Sequence, residues 1–510
     1  MDFTESREFR IAAFSIISTC TVVSLLVAGF AVAKTVYDGA FEVASLAVVM
    51  FLLVVVVTVF NIIAGYYYLE SYGYKAVAPR LRNFPPVAIA VPMYNEDPEM
   101  VKETLTLLKT IDYPKEKMSI HLLDDSTDEK IVNEMREFCK KNDIDYIHRE
   151  NREWYKGGAL NNFLWQCDAK YLAIFDADER LVDRSFLKET LGFMEEDSRV
   201  AFVQTEKKFA PGSIFGNTVD ALYRFYFTGV MPVKAKDGSA LFSGSCGVLS
   251  VEILRKLGGF PKSVTEDTAY SLEVEARGYR GVYVLKTYAL GKPINTFTGV
   301  SRQQWRYTFG NALLVKKYFE NWGKVRGWRN KIHYFALVFG LQYMSFIFVG
   351  LALMTLAIIF GDLRSVLDVV ARMFLSEWTF FDIYLEWPAV VSILSTIGLI
   401  LLSAKAYIGD LAYGVRAYFL NFSLSFVRIK ATLQALKSKY APFKVAREGT
   451  SGGKDIIGVL QTTILEAIFS MIFFVAGVLS VLKADFIGAF WLFWYSVIFS
   501  GAIYYLYRYR

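Results

Sequence analysis

Val87-Ala88-Ile89-Ala90-Val91-Pro92, Ile120-His121-Leu122-Leu123-Asp124-Asp125 and Tyr171-Leu172-Ala173-Ile174-Phe175-Asp176-Ala177-Asp178 are three short apolar runs, and the second and third end in carboxylates. Each has strand length and a nearly unbroken apolar character, the pattern of a strand covered on both faces. Residues 98–110 follow the first run with apolar side chains at Val101, Leu105 and Leu108, and residues 128–140 follow the second; both read as helices. Strand, helix, strand, helix predicts an α/β domain with a parallel sheet. Such sheets bind ligands outside the carboxyl ends of their strands, where Asp124-Asp125 and Asp176-Ala177-Asp178 fall. Thr265-Glu266-Asp267 is a third acidic cluster, followed by Gln303-Gln304-Trp305-Arg306-Tyr307.

Local explanations compete at each cluster. Ser126 with Glu129 matches a capping box, so residues 124–127 can simply be a helix entry. Thr265 can cap a helix running through Leu272 and Val274, and Asp176 and Asp178 can form a solvated turn. Singly these motifs are weak; their order and spacing carry the information.

The surrounding chain is apolar. Its 510 residues are 54% hydrophobic and 16% aromatic, a balance that soluble enzymes of this size rarely show. A helix needs roughly 20 apolar residues to cross the hydrocarbon core, and six runs serve: 11–33, 43–69, 334–361, a shorter one at 387–404, 456–482 and 486–507. Cytoplasmic flanks collect Lys and Arg. Arg7 and Arg10 precede the first run, Arg508 and Arg510 follow the last, and residues 405–454 are rich in basic side chains from Lys405 to Lys454. Both termini, residues 81–331 and the 405–454 segment are therefore expected in the cytoplasm of a multi-pass cell-membrane protein. Residues 1–80 would supply two transmembrane helices and residues 332–510 the others. The first run is too long for a signal peptide, and another span follows it closely.

A net charge of +6 fits a basic inner face against anionic lipid and calls for no nucleic acid. Cys20, Cys139, Cys167 and Cys246 lack metal or disulfide spacing and read as reduced structural residues. His121, His148 and His333 are scattered, which speaks against a histidine-based zinc site.

From about residue 86 to 310 the motifs resemble the membrane-bound family-2 glycosyltransferases, the group of cellulose, mannan, chitin and hyaluronan synthases. That family carries a DD pair, a K-x-G stretch, DxD, TED and Q-x-x-R-W ahead of its membrane helices. The matches are Asp124-Asp125, Lys156-Gly157-Gly158-Ala159-Leu160-Asn161, Asp176-Ala177-Asp178, Thr265-Glu266-Asp267 and Gln303-Gln304-Trp305-Arg306-Tyr307. Val91-Pro92-Met93-Tyr94-Asn95-Glu96 looks like the family's first nucleotide-binding loop, and Phe242-Ser243-Gly244-Ser245 is similar to its acceptor-side F-x-G-S turn. Tyr307 stands where the family usually has Trp. Tyr keeps an apolar face and a polar tip, and Trp305 can share the role; an interfacial aromatic belt is the competing account for both. Phe426-Val427-Arg428-Ile429-Lys430-Ala431-Thr432-Leu433 resembles the cytoplasmic interface helix of plant mannan and glucomannan synthases. Phe443-Lys444-Val445-Ala446-Arg447-Glu448-Gly449 resembles a degraded F-x-V-T-x-K-G gating loop, with Ala446 for Thr and Glu448 for Lys.

This resemblance implies a GT-A-type, Rossmann-like mixed-sheet α/β domain inserted into an α-helical transmembrane bundle of about six spans. It implies Mg²⁺ or Mn²⁺ on Asp178, with Asp176 helping through the metal or the ribose. Asp124, Asp125, Tyr94 and Glu96 would hold the base and ribose of a UDP- or GDP-sugar, and Lys156 would approach the nucleotide or its phosphates. Gln303 and Arg306 would take the diphosphate from the other side, since the Arg fork fits phosphate oxygens. Asp267 would be the general base of the Thr265-Glu266-Asp267 motif. Tyr307, Trp305, Phe242, Gly244 and Ser245 would face a growing polysaccharide acceptor. One base and no separate nucleophile imply a single inverting displacement. Polar residues inside spans usually face a cavity or the bundle interior, so Glu466, Gln342 and Tyr66-Tyr67-Tyr68 are candidates to line an export path, with bundle packing as the alternative. The function expected is processive synthesis and export of a β-linked polysaccharide. A single-sugar transferase acting on a membrane lipid, and a channel with a nucleotide-sensing domain, are the rivals.

Overall fold

The computed structural model describes residues 6–37, 41–325, 327–360, 380–437, 463–482 and 486–509. The middle of the chain supplies the strands β1 (Val87–Met93), β2 (Met118–Asp124), β3 (Asp145–His148), β4 (Tyr171–Ile174), β5 (Arg180–Leu181), β6 (Val200–Thr205), β7 (Lys208–Phe209), β8 (Gly247–Ser250), β9 (Arg280–Val284) and β10 (Ala289–Gly291). Seven form a sheet in the order β3-β2-β1-β4-β8-β6-β9, and β5-β10-β7 form a small second sheet. Successive residues of a strand point to opposite faces, so Val87, Ile89 and Val91 of β1 enter one core while Ala88 and Ala90 enter the other. Two covered faces explain why this strand reads as an unbroken apolar run.

Most neighbours are parallel: β1 with β2 and β4, β2 with β3, and β6 with β9. β8 runs antiparallel to β4 and to β6, so strand alternation alone misses one direction and the sheet is mixed. In this register Gly247, the first residue of β8, lies opposite Ile174, the last of β4. The turn before β8 therefore shares a sheet edge with Asp176.

Helix Pro98–Leu108 starts with Pro in its first turn, and the Asp97 carboxylate accepts from the Glu99 N–H at 3.2 Å. Helix Glu129–Lys141 is capped by Asp128, which accepts from the Lys130 N–H at 3.0 Å. Ser126 does not take the capping position, because its Oγ accepts from the Asn95 N–H at 2.8 Å.

Apolar runs outside the domain are helical: Arg7–Tyr37, Phe41–Glu70, Trp328–Phe360, Phe380–Tyr407, Ile464–Leu482 and Phe486–Arg508. Among the described residues, Arg7–Phe30 and Ile464–Leu482 are long and apolar enough to cross a membrane, and Leu394–Tyr407 is a shorter apolar helix. Leu26 is 68% exposed and Met471 64%, so these helices turn large apolar side chains away from the protein. Helix Phe41–Glu70 is pinned to the domain near its end: Tyr67 OH lies 2.7 Å from His333 Nδ1, and His333 Nε2 lies 2.9 Å from Asp237 Oδ2. Tyr66 OH also donates to Asp237, at 3.3 Å, while the Tyr68 ring packs edge-on to Tyr407. Residues 443–449 and the side chain of Gln342 lie outside the described residues, and Glu466 is buried. The four cysteines are free.

The segment joining Phe41–Glu70 to β1 lies on helix Phe186–Glu196 at Gly192, where a Cβ would stand 2.0 Å from the Pro79 carbonyl oxygen. Backbone cannot swing aside as the end of a side chain can. Gly192→Ala is expected to destabilise the chain by about 1–3 kcal/mol, seen as a lower midpoint in denaturant unfolding; an unchanged midpoint contradicts this docking.

Candidate active site

The loops after β1 and β2 are fastened to each other. Asn95 takes a positive φ of 53°, a conformation Asn tolerates better than most residues. Its Oδ1 accepts from the Thr127 and Asp128 N–H groups at 3.0 and 3.1 Å, and the Asp125 N–H donates to the Met93 carbonyl at 2.9 Å. Asp124 is buried and accepts from the Ser126 N–H at 2.8 Å and Tyr146 OH at 2.6 Å, bracing the loop against β3. Asp125 is gripped by the Arg149 fork, Nε to Oδ1 at 2.8 Å and Nη2 to Oδ2 at 2.5 Å. Arg149 also donates to the Tyr155 carbonyl at 3.1 Å, so this pair ties β2 to the Lys156 helix, Tyr155–Leu164. The Arg152 guanidinium lies over the Tyr94 ring. The Glu96 carboxylate accepts from the Tyr94 N–H; burial, reinforced by Asp176 and Asp124, nonetheless raises its pKa.

Asp176 follows β4 into a cluster of opposite charges. Lys156 Nζ donates to its Oδ1, while Lys207 Nζ lies 3.4 Å and Ser245 Oγ 2.7 Å from its Oδ2. Ser245 Oγ is equally 2.7 Å from Glu179 Oε1 and accepts from Lys207 Nζ at 2.5 Å. The Asp176 N–H donates to Glu179 Oε2 at 2.8 Å, closing the cluster. Burial alone would raise the Asp176 pKa, but Lys156, Lys207 and the Ser245 hydroxyl outweigh it and hold this carboxyl far below the usual range. Asp178 has the opposite fate: burial, then the charges of Asp176 and Glu179, push it up to about 7. Among the described residues it makes no ion pair.

Those oxygens suit a hard divalent cation. Asp178 is an acid short of positive charge, and Asp176 stands beside it. No three-residue cluster of His, Cys, Asp or Glu forms among the described residues; Mg²⁺ usually needs none, being held by one or two carboxylates with water and substrate phosphates.

Asp267 lies at the start of helix Glu266–Ala276, facing the turn before β8. Gly244 there has φ +86°, and a Cβ on it would stand 3.3 Å from Asp267 Oδ2 and 3.7 Å from Lys156 Nζ. Both the backbone and the space call for glycine. Ser271 Oγ bridges the two elements, donating to the Asp267 carbonyl at 2.8 Å and accepting from the Phe242 N–H at 2.9 Å. Burial raises the Asp267 pKa against the Thr268 N–H, Lys156, Arg306 and Lys207. Glu266 is pushed up to about 7 by burial and by Asp267, with Lys156 and Arg306 opposing. Arg306 keeps a raised pKa, because Tyr307, Glu266 and Asp267 outweigh its burial. It rides on helix Phe297–Leu313, which approaches the acidic motif through Gly310: a Cβ there would be 2.4 Å from Thr265 Cγ2. Thr265 holds the N-cap position without a side-chain capping bond.

Other expected residues face elsewhere. Tyr223 OH donates to Gln303 Oε1 at 2.6 Å and accepts from Gln304 Nε2 at 2.7 Å. Gln304 Oε1 in turn accepts from the buried Arg428 guanidinium, Nη2 at 3.0 Å and Nε at 3.2 Å. Trp305 stacks on Phe309 and donates from Nε1 to Gln434 at 3.0 Å, so its ring meets helix Ser425–Lys437. The Phe242 ring packs among Phe202, Phe260 and Tyr270. Tyr307 stays beside Arg306, whose guanidinium is 5.5 Å from the ring centre.

Lys156, Asp176, Asp178, Gly244, Ser245, Glu266, Asp267 and Arg306 thus come together, while Trp305 and Phe242 pack into apolar clusters. Sequence reasoning passed over Gln204, Lys207, Glu179 and Arg149. Gln204, next to last in β6, is a buried amide: Oε1 accepts from the Ser243 N–H at 2.7 Å, and Nε2 donates to the Ser245 carbonyl at 2.9 Å, cradling the turn. An amide inside an apolar strand was its signal.

Residues 88–258 match the family model "Glycosyl transferase family 2", and the chain therefore carries a glycosyl transferase family 2 domain. The cellulose synthase catalytic subunit [UDP-forming] of Pseudomonas fluorescens (strain SBW25) is 32% identical over 258 residues, 49% of this chain and 34% of that protein. The probable glucomannan 4-beta-mannosyltransferase 4 of Oryza sativa subsp. japonica is 30% identical over 269 residues, 49% of this chain and 48% of that protein. This chain thus spans less than half the length of either relative. A mannosyltransferase from Pyrobaculum calidifontis, solved in complex with GDP-Man and Mn²⁺, superposes with TM-score 0.50 and 21% identity, over 66% of this chain and 97% of that one. The shared fold is the GT-A-like mixed α/β domain.

Glu266 gives the site a pH signature. Its folded pKa of about 7 lies above the ordinary 4.5, so the folded chain binds this proton more tightly than the unfolded one. The stability linked to that proton is present in full below pH 4.5 and is lost as pH rises through 7. Denaturant midpoints of the metal-free protein are expected to fall across this window, and Glu266→Gln should flatten the fall; an equally steep profile in the variant contradicts the assignment.

Proposed function

We propose that this chain is an inverting, metal-assisted hexosyltransferase that draws on a UDP- or GDP-sugar and extends a β-linked polysaccharide at the inner face of a membrane. The observation carrying this reading is the convergence at one sheet edge: Asp267 Oδ2 against Gly244, with Lys156 and Arg306 beside it and Asp176 and Asp178 behind Lys156. Asp267 has its second oxygen, Oδ1, engaged by the Thr268 N–H at 2.7 Å, which fixes the carboxylate and leaves Oδ2 toward the turn. An acceptor hydroxyl seated at Gly244 would give its proton to Oδ2 as it attacks the anomeric carbon. The raised pKa of Asp267 suits that task, since a stronger base takes the proton more readily.

Lys156 and Arg306 would hold the departing diphosphate by charge-assisted hydrogen bonds. A divalent cation on Asp178 and Asp176 would neutralise the negative charge that gathers on that leaving group. With Asp267 as the base and no separate nucleophile assigned among the described residues, one displacement with inversion would follow, and an α-linked donor would give a β-linked product. Arg149, Asp125 and Tyr94 would form the nucleoside end of the site.

The relatives support a polymer: one is a UDP-forming cellulose synthase and the other a probable glucomannan mannosyltransferase. The helices Arg7–Phe30 and Ile464–Leu482, long and apolar enough to cross a membrane, support a multi-pass cell-membrane enzyme; its catalytic domain and termini would lie in the cytoplasm, with the product leaving through the bundle. Residues 332–437 would then place helix Ser425–Lys437 under the site, at the lipid surface.

The test is a screen of UDP- and GDP-sugars with Mg²⁺ or Mn²⁺, scored by nucleotide release and by product length and linkage. Long β-linked chains are expected; a single sugar on lipid defeats the polymerase reading, and no nucleotide release with any donor defeats the transferase reading. Asp267→Asn should lower turnover by about 10²–10⁴-fold while nucleotide affinity stays close to wild type. Undiminished turnover removes Asp267 from the role of base.

A further inference from the structure

We propose that Lys207 is a donor-diphosphate contact, an ammonium held on the acidic cluster and handed to phosphate oxygens when a nucleoside diphosphate and its divalent cation bind; this rests on the transferase reading above. Lys207 lies two residues beyond the end of β6, on the sheet edge where the other loops converge. Its Nζ donates to Ser245 Oγ at 2.5 Å and lies 3.3 Å from Glu179 Oε1 and 3.4 Å from Asp176 Oδ2. Its side chain is 25% exposed.

Asp176 divides its oxygens between two lysines, Oδ1 to Lys156 and Oδ2 to Lys207. Asp176 Oδ2 already accepts from both Lys207 and Ser245, so a divalent cation on that oxygen would compete with the Lys207 ammonium. Lys207 is the looser of the two, at 3.4 Å from Oδ2 with Ser245 shared between them. Glu179 cannot follow it: that carboxylate is 3% exposed and is fixed by the Asp176 N–H at 2.8 Å. A lysine head on a four-carbon stem is a mobile point charge, and an incoming diphosphate supplies the anion nearest to its displaced position. Charge balance points the same way. Asp176, Asp178 and Glu179 stand against Lys156 and Lys207, three carboxylates to two ammoniums, before the cation and the diphosphate add their own charges. Pairing Lys207 with these acids avoids a half-buried charge left without a partner.

Titrations of this chain in detergent distinguish this role from that of a static ion pair. For Lys207→Gln, Mn²⁺ alone should bind about 3–10-fold more tightly, because a competing positive charge is gone. UDP or GDP with Mg²⁺ should bind about 10–100-fold more weakly, since a hydrogen bond to a charged group is lost. Uridine and guanosine should bind as in wild type. Lys207→Arg, which also serves if the Gln variant does not fold, should keep diphosphate affinity within about threefold and weaken Mn²⁺, because the Arg fork grips carboxylates more firmly. Diphosphate affinity unchanged in Lys207→Gln overturns the proposal. So does weakening of Mn²⁺, diphosphate and nucleoside together, in either variant, which is the mark of a structural ion pair. Wild-type protein that binds neither UDP nor GDP overturns the transferase reading and takes this assignment with it.

Discussion

The direction of one strand holds the site together. Ligand-binding loops of a parallel sheet leave from the carboxyl ends of the strands, which places the residues after β1, β2, β4 and β6 at one edge. β8 runs the other way, so its amino-terminal end reaches that edge. Gly244 and Ser245 precede β8 and are thereby set between Asp176 and Asp267. A parallel β8 would carry the same turn to the far edge. Gln204 secures the arrangement from β6, spending its whole side-chain amide on the backbone of residues 243–246 and of its own neighbour Thr205. Such a buried amide is costly unless fully bonded, and full bonding exists for only one path of the turn.

Electrostatics then sorts residues that look alike. Asp124, Asp125, Asp176, Asp178, Glu266 and Asp267 are all acids at or near strand ends and helix starts, yet their partners differ. Asp124 is absorbed by a backbone N–H and a tyrosine, and Asp125 by an arginine fork. Asp176 is satisfied by two lysines, whereas Asp178, Glu266 and Asp267 are buried beside other carboxylates and keep raised pKa values. Burial without a matching cation favours the protonated acid. Groups held this way respond strongly to an entering cation or hydroxyl.

Much of this was legible in the sequence because it rests on local pattern. Continuous apolar runs gave β1, β2 and β4 within one or two residues, and the carboxylates after β2 and β4 fell where the sheet places them. The direction of β8 was not legible from strand and helix alternation, since Gly247–Ser250 is only a short apolar run and long-range pairing decides its sense. The role of Trp305 depends on which face of helix Phe297–Leu313 meets a helix more than a hundred residues further on, and there Gln434 and Phe309 take it. Lys207 stands next to Lys208 outside every recognised motif; only the meeting of β6, β4 and the turn before β8 shows its carboxylate partners. Ser126 and Thr265 fit local capping rules and formed neither expected bond, because a nearby loop claimed Ser126 and helix Phe297–Leu313 packed against Thr265.

A chain of buried polar contacts links helix Ser425–Lys437 to the same site. Arg428 has no acid partner among the described residues, and burial lowers its pKa to about 10, with Tyr223 opposing. Its charge is satisfied by neutral acceptors alone: Gln304 Oε1, the Asn421 carbonyl at 3.1 Å and Asn421 Oδ1 at 2.8 Å. Gln304 can accept from Arg428 only with its amide turned one way, and that sends its NH₂ to Tyr223. Tyr223 OH, having accepted from Gln304, must donate onward, and Gln303 Oε1 receives it. Each group thus fixes the orientation of the next, from helix Ser425–Lys437 to the helix that carries Arg306. A surface salt bridge could not transmit orientation in this way, because water would replace either partner. A buried arginine that lacks a counter-ion has no such freedom, so the position of Arg306 above Asp267 is set by the helix beneath it as much as by the domain it serves.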